Sequence, residues 1–375
     1  MVALHRDRAL DGIRGIAILG VLATHLNLPI YVVRGGGIGV LIFFVLSGYL
    51  ITGLLVREYD RNQRVSLRLF YARRVLRLYP ALLVAVLGVV VLLPALGSRF
   101  IPPTVVHDDH TGALASLFYV ANWVSVYSDH HDATLGWFVP MWSLSVEEQF
   151  YLVWPIALVL LLRRSWRAAA AAAIAVAVFA VVLRHLLWHD RPLGYERIIR
   201  GSDTQADFLM CGAALAIVNA RRPELFDRVG DRVAAAGLLA LLAISQIDTA
   251  SFYVPYLWTT PFIGPATCMV IAGVTHRAAR TRRLLGANWL SSIGRGSYSL
   301  YVVHIPIFLA VGSRLQTHSQ YALAPIKVAL AACAAWVSYR LVERPLLDRF
   351  HARLRPVLAP SVAVESETPS VQRGT

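Results

Sequence analysis

The residues able to do chemistry in this sequence are histidines, carboxylates and arginines set inside or at the edges of long apolar runs. Arg14 and His25 stand eleven residues apart. On a helix they share a face but lie about 16 Å apart along the axis, so they cannot touch. Glu147, Glu148, Asp207 and His304 occupy three further runs. Each of these, with His25, falls in the outer half of its run. Histidine and carboxylate brought together in a partly dehydrated cavity would supply a general base for a hydroxyl group. Glu147 and Glu148 point about 100° apart on a helix, so only one, read as Glu147, faces such a cavity. A second group is cationic. Arg73, Arg74 and Arg77, with Arg68 before them and Pro80 after, ring one helical end. There they could hold a polyphosphate bidentately, or simply fix orientation among anionic headgroups.

Other candidates have blander readings. His107-Asp108-Asp109-His110 and His130-His131-Asp132 suggest a metal, but the spacing is not that of a helical ligand pair. They are read as solvated loop residues, with no metal site. Ser143 and Ser145 could accept an acyl group in a two-step route, although neither lies in a GxSxG turn. His304 shares a face with Ser297 and Tyr301, so a purely structural hydrogen bond is its alternative. Arg295 reads as snorkelling to the interface, and Glu343-Arg344 as a helix-end ion pair. Cys211, Cys268 and Cys333 show no CxxC and carry no redox reading.

The elements that must position these groups follow from composition. The 375 residues are 57% hydrophobic and 15% charged, with a mean hydropathy of +0.57, whereas a soluble domain carries about 25% charged residues. The chain is a membrane protein. Ten apolar runs are candidates to span a bilayer, at approximately 10–28, 38–56, 79–96, 144–162, 168–188, 204–219, 233–249, 254–274, 289–311 and 322–342. The first, which holds Asp11 and Arg14 and lacks a cleavage site, is read as a retained helix and not a signal peptide. With the N-terminus cytoplasmic, 25 of the 36 Lys+Arg residues fall in inner segments and 6 in outer ones. Every loop alternates accordingly, as the positive-inside rule requires. Residues 114–126 would reverse that alternation as a full span and are read as a re-entrant or interfacial piece. The net charge of +14 is therefore mostly orientation information and excludes a nucleic-acid surface. The expected fold is an all-α polytopic bundle, residues 1–350, with both termini cytoplasmic and a disordered polar tail over 351–375.

Several segments occur in a specific order: LDGIRGIAIL (10–19) with His25, GVLIFFVLSGYLIT (39–52), RRVLRLYP (73–80), PMWSLSVEEQFYLVWP (140–155), SDTQADFLMCGAALA (202–216), IGRGSYSLYVVHIP (293–306) and ERP (343–345). Together, over residues 10 to about 350, they resemble acyltransferase family three. The resemblance implies a ten-helix membrane domain that transfers an acyl group, often acetyl from acetyl-CoA, to a hydroxyl of a sugar or glycoside. It implies that Arg14 and His25 match the family's first-helix arginine and histidine, with His25 catalytic. It further assigns Arg73, Arg74 and Arg77 to the acyl donor and Glu147 to the family's acidic position. Gln205 departs from the pattern, standing where members often carry arginine. Many relatives also have a soluble esterase-like domain, whereas this chain reads as the membrane unit alone.

The expectation is a multi-pass O-acyltransferase of a bacterial inner membrane. Its catalytic residues would be His25, Glu147 and Asp207. Arg14, Arg73, Arg74, Arg77 and His304 would bind substrate or donor. Acyl-CoA is a co-substrate, with no bound cofactor. The acceptor is an envelope glycan, a glycolipid or a glycosylated natural product such as a macrolide. The alternative is a transporter or flippase for a glycan or lipid-linked intermediate, against which stand the lack of an internal repeat and the dense arginine cluster.

Overall fold

The computed structural model describes residues 7–26, 37–95, 109–189, 194–227, 229–247, 254–275, 280–315 and 319–350. The 351–375 tail and the His107-Asp108 pair lie outside them. Among the described residues every regular element is helical. In chain order the main helices are α1 (Arg8–His25), α2 (Ile38–Asn62), α3 (Leu67–Leu87), α4 (Asp109–Leu117), α5 (Ala121–Tyr127), α6 (Met141–Arg164) and α7 (Trp166–His189). They continue with α8 (Gly194–Arg200), α9 (Ala206–Arg221), α10 (Asp231–Gln246), α11 (Val254–Val274), α12 (Asn288–Arg295), α13 (Ser297–Arg314) and α14 (Gln320–Ser338).

Over its described residues each of the ten apolar runs is mainly helical, but they are not equal. Among the described residues six helices are long and apolar enough to cross a membrane, and α12 with α13 would add a seventh as a pair bent by 68°. The remaining three runs are α1, which carries Arg8, Asp11 and Arg14, and α9 and α10, at 16 residues each. The exterior of the bundle explains how such helices persist. Leu152, Val153, Phe179 and Leu186 are among large apolar side chains left exposed on α6 and α7, a surface suited to lipid and not to water. The chain is a membrane protein, and α1 and α9 bury much of their length inside it.

Helices in lipid gain little from hydrophobic burial against one another, so close backbone approach matters more. A Cβ on Gly48 of α2 would stand 1.8 Å from the Leu209 carbonyl oxygen of α9, and one on Gly212 of α9 would stand 1.9 Å from that of Val45. These reciprocal glycines seat the two helices together. The same device joins α1 to the α12 region: a Cβ on Gly12 would meet the Leu285 carbonyl, and one on Gly294 the Asp11 carbonyl, both at 1.7 Å. α1 begins at an Asp7 cap, whose carboxylate accepts the Ala9 amide at 2.9 Å.

Residues 114–126 form parts of two short helices, α4 and α5, joined by a turn in which Tyr119 adopts a φ of 52°. At nine and seven residues neither can span a bilayer, in keeping with the re-entrant reading. Irregular backbone at membrane depth persists only where protein groups satisfy it. Here Tyr79 donates to the Leu117 carbonyl at 3.0 Å, Gln149 donates to the Tyr119 carbonyl at 2.8 Å, and the Ala121 amide donates to Ser145 Oγ at 3.1 Å.

Candidate active site

α1 and α13 run side by side, and their polar residues meet in register. Arg14 Nε donates to Ser297 Oγ at 3.4 Å, and eleven residues later His25 faces His304. On α13, Ser297, Tyr301 and His304 lie on one face, so this helix supplies a polar stripe opposite the Arg14–His25 stripe. Between them opens a small, partly open pocket, lined by Arg14, Phe43, Ser143, Glu147, Ser297 and Tyr301, among others. Glu147 accepts a hydrogen bond from Ser47 at 2.9 Å, and Arg14 lies within its electrostatic reach. Toward the His25 end, Ser143 and Tyr301 hydroxyls are 2.6 Å apart, and Tyr301 also donates to the Pro140 carbonyl at 3.0 Å.

The imidazoles stand beyond Tyr301, whose ring lies 5.4 Å from that of His304. His25 Nδ1 is 2.8 Å from the Val21 carbonyl and His304 Nδ1 is 2.5 Å from that of Tyr301. A carbonyl only accepts, so both rings carry their proton on Nδ1. In the neutral ring the lone pair of His25 then lies on Nε2, which has no hydrogen-bond partner among the described residues, as a general base requires. The rings meet edge to face, with centroids 5.0 Å apart.

At the other end of the site the arginines part company. Arg74 turns inward, pairing with Glu148 at 3.2 Å and lying 3.7 Å over the Tyr151 ring. Arg73 is half-buried, and Arg77 is exposed and within electrostatic reach of Glu148 and Glu343. Glu147 and Glu148 thus divide as helical geometry requires, one to the cavity and one to Arg74. Glu343 does not pair with Arg344. It is buried and accepts from Ser299 at 2.7 Å and Ser338 at 3.1 Å, while Arg344 pairs with Asp348 at 3.7 Å.

An acyltransferase domain family model, that of acyltransferase family three, matches residues 7–340. The chain belongs to this family. Relatives of this acyltransferase include the peptidoglycan O-acetyltransferase OatA of Listeria monocytogenes, 32% identical over 90% of this chain and 55% of that protein. The O-acetyltransferase OatA of Staphylococcus aureus is 31% identical over 90% and 56%, and the putative peptidoglycan O-acetyltransferase YrhL of Bacillus subtilis 32% over 90% and 54%. The chain thus spans about half the length of the curated relatives it matches. No solved structure matches it. None of these comparisons favours the transport alternative.

Within this family member, Asp207 belongs to a different cluster from His25. Its Oδ2 pairs with Arg184 of α7 at 2.5 Å, and Arg184 is 0% exposed. Gln205, at the position where the resemblance expects arginine, is buried and donates to the Ile198 carbonyl and to Tyr256 Oη at 3.1 and 3.0 Å. The charge beside Asp207 therefore comes from a neighbouring helix. Among the described residues no hydrogen bond joins His25 to Asp207 or Glu147. Arg184 lies within the apolar run 168–188, where a charge demands a partner, but the sequence does not say which one.

The loop before α6 also gains a role. Asp132 and Glu196 both pair with Arg200, which donates to Ser125 Oγ and lies over Trp142. Burial pushes the Glu196 carboxyl upward despite Arg200 beside it. Asp132 comes within electrostatic reach of His25. His131 bonds to the Ser125 carbonyl at 2.9 Å, and among the described residues no three histidine, cysteine or acidic side chains gather as a metal site would need.

Proposed function

We propose that this chain is a ten-span O-acetyltransferase with both termini in the cytoplasm. It would move a short acyl group from acyl-CoA to a hydroxyl of a sugar polymer such as peptidoglycan. The observation that carries the reading is the polar stripe that runs from Arg14 and Glu147 in one pocket, through Tyr301 and His304, to His25. Family membership and the names of the relatives support the acetyl group and the glycan acceptor.

In this reading Arg73, Arg77 and Arg14 hold the CoA phosphates and guide the pantetheine arm into the cavity. Arg74, already paired, braces the floor. His25 Nε2 takes the proton of the acceptor hydroxyl while its oxygen attacks the thioester carbonyl. The carbon–sulfur bond breaks, and the leaving thiolate recovers the proton from Nε2, releasing CoA thiol and the ester. Ser143 Oγ is bonded to Tyr301 Oη and the Pro140 carbonyl and, among the described residues, to no histidine or carboxylate, so direct transfer is favoured over an acyl-serine route.

The test is CoA thiol release by purified protein supplied with acetyl-CoA and soluble glycan fragments. His25→Ala is expected to lower turnover at least about 100-fold with CoA binding intact. Turnover near that of the wild type in His25→Ala, or none in the wild type with any glycan, would overturn the reading.

A further inference from the structure

We propose that His304 is a positioning residue for His25, its neutral Nε2 lone pair accepting from the His25 Nδ1–H. This rests on the acyl-transfer reading above. His304 is 0% exposed, and its own Nδ1 proton is committed to the Tyr301 carbonyl at 2.5 Å. That leaves Nε2 without a proton, 3.4 Å from His25 Nδ1. The His25 Nδ1–H is thereby shared between the Val21 carbonyl, at 2.8 Å, and a second imidazole. Phe308 and Tyr301 pack against the His304 ring at centroid distances of 5.8 and 5.4 Å, fixing the direction of its lone pair.

A buried nitrogen lone pair with no donor would be costly, and an apolar side chain would fill the space without that cost. The arrangement does for His25 what a carboxylate does in a serine hydrolase triad: it sets the tautomer and steadies the imidazolium. It differs in placing no negative charge there. When Nε2 takes the acceptor proton, the positive charge on His25 is met by two neutral acceptors, the Val21 carbonyl and His304. Asp132, itself tied to Arg200, contributes only at longer range. An imidazole in this position suits a site surrounded by membrane-buried helices, where an unpaired carboxylate would be expensive.

The experiment compares His304→Phe, His304→Asn and His304→Gln in the full chain, following kcat and the KM for acetyl-CoA. Glutamine can place its Oε1 where the histidine Nε2 lies, whereas asparagine reaches only the Nδ1 position. Expected are an approximately 10- to 100-fold loss of kcat in the Phe and Asn variants, a KM for acetyl-CoA within about twofold, and substantial recovery in the Gln variant. A wild-type kcat for His304→Phe, or Gln as impaired as Phe, overturns the proposal. Nitrogen-15 histidine spectra of the wild-type protein provide a readout that survives poor folding of a variant. The resonance that disappears in His25→Ala must report a proton on Nδ1, and a proton on Nε2 instead overturns the arrangement. If the wild type transfers no acetyl group, the acyl-transfer reading fails, while the spectra still test the contact itself.

Discussion

At the scale of single residues, the two histidines and the Arg184–Asp207 pair illustrate two uses of polarity inside a membrane protein. His25 and His304 each give an Nδ1 proton to a carbonyl of their own helix. Arg184 and Asp207 stay charged by pairing, with Arg184 stacked 5.2 Å from the Phe208 ring. Removing one member of a buried pair strands the other, typically at a cost of about 3–5 kcal/mol, whereas replacing both by apolar groups is far milder. Asp207→Ala is therefore expected to lower the unfolding temperature in detergent sharply, and Arg184→Met with Asp207→Leu to restore most of it. If the double variant also regains turnover, Asp207 supports the fold and does not act on the acceptor. The first-helix stripe was legible because eleven residues on a helix dictate a shared face. The partner of Asp207 was not, since a hydropathy pattern records that an arginine lies within a span but not which neighbour it turns toward.

At the scale of elements, glycines decide which helices touch. Gly48 and Gly212 each leave room for a carbonyl of the opposite helix that any Cβ would strike. Gly48→Ala should force α2 and α9 apart, costing about 1–3 kcal/mol or more. Gly88, with nothing within 4 Å of a built Cβ, provides the control: Gly88→Ala should be neutral or stabilising by about 0.5–1 kcal/mol. Thermal unfolding of both variants in one detergent checks the contrast, and equal effects would refute it. Helix positions were readable from apolar runs, and the charge alternation of the loops argued against a full span over 114–126, though not for the break between α4 and α5. Helix adjacency was not, because the glycine pairs are separated by more than 160 residues, and nothing in a local pattern says which glycine answers which.

For the whole molecule, the exposed apolar belt and the distribution of arginine set the orientation in the membrane. The proposal places the α2–α3 turn in the cytoplasm and the segment before α6 outside. Asn62→Cys and His130→Cys, both at exposed positions, should therefore differ toward a membrane-impermeant thiol reagent. His130→Cys is expected to label on intact cells and Asn62→Cys only after permeabilisation, in a background lacking Cys211, Cys268 and Cys333. The reverse pattern would invert the topology and, with it, the side from which the donor enters.

The glycine seats between α1 and the α12 region carry one more consequence. They lock α1 by backbone against backbone at Gly12 and Gly294, so its height follows its neighbours and not the lipid. A thicker or thinner bilayer acts first on lipid-facing helices such as α7, which can tilt to match it at modest cost. The spacing of the two imidazoles should be insulated from that adjustment, making turnover in nanodiscs nearly independent of acyl-chain length even where thermal stability is not.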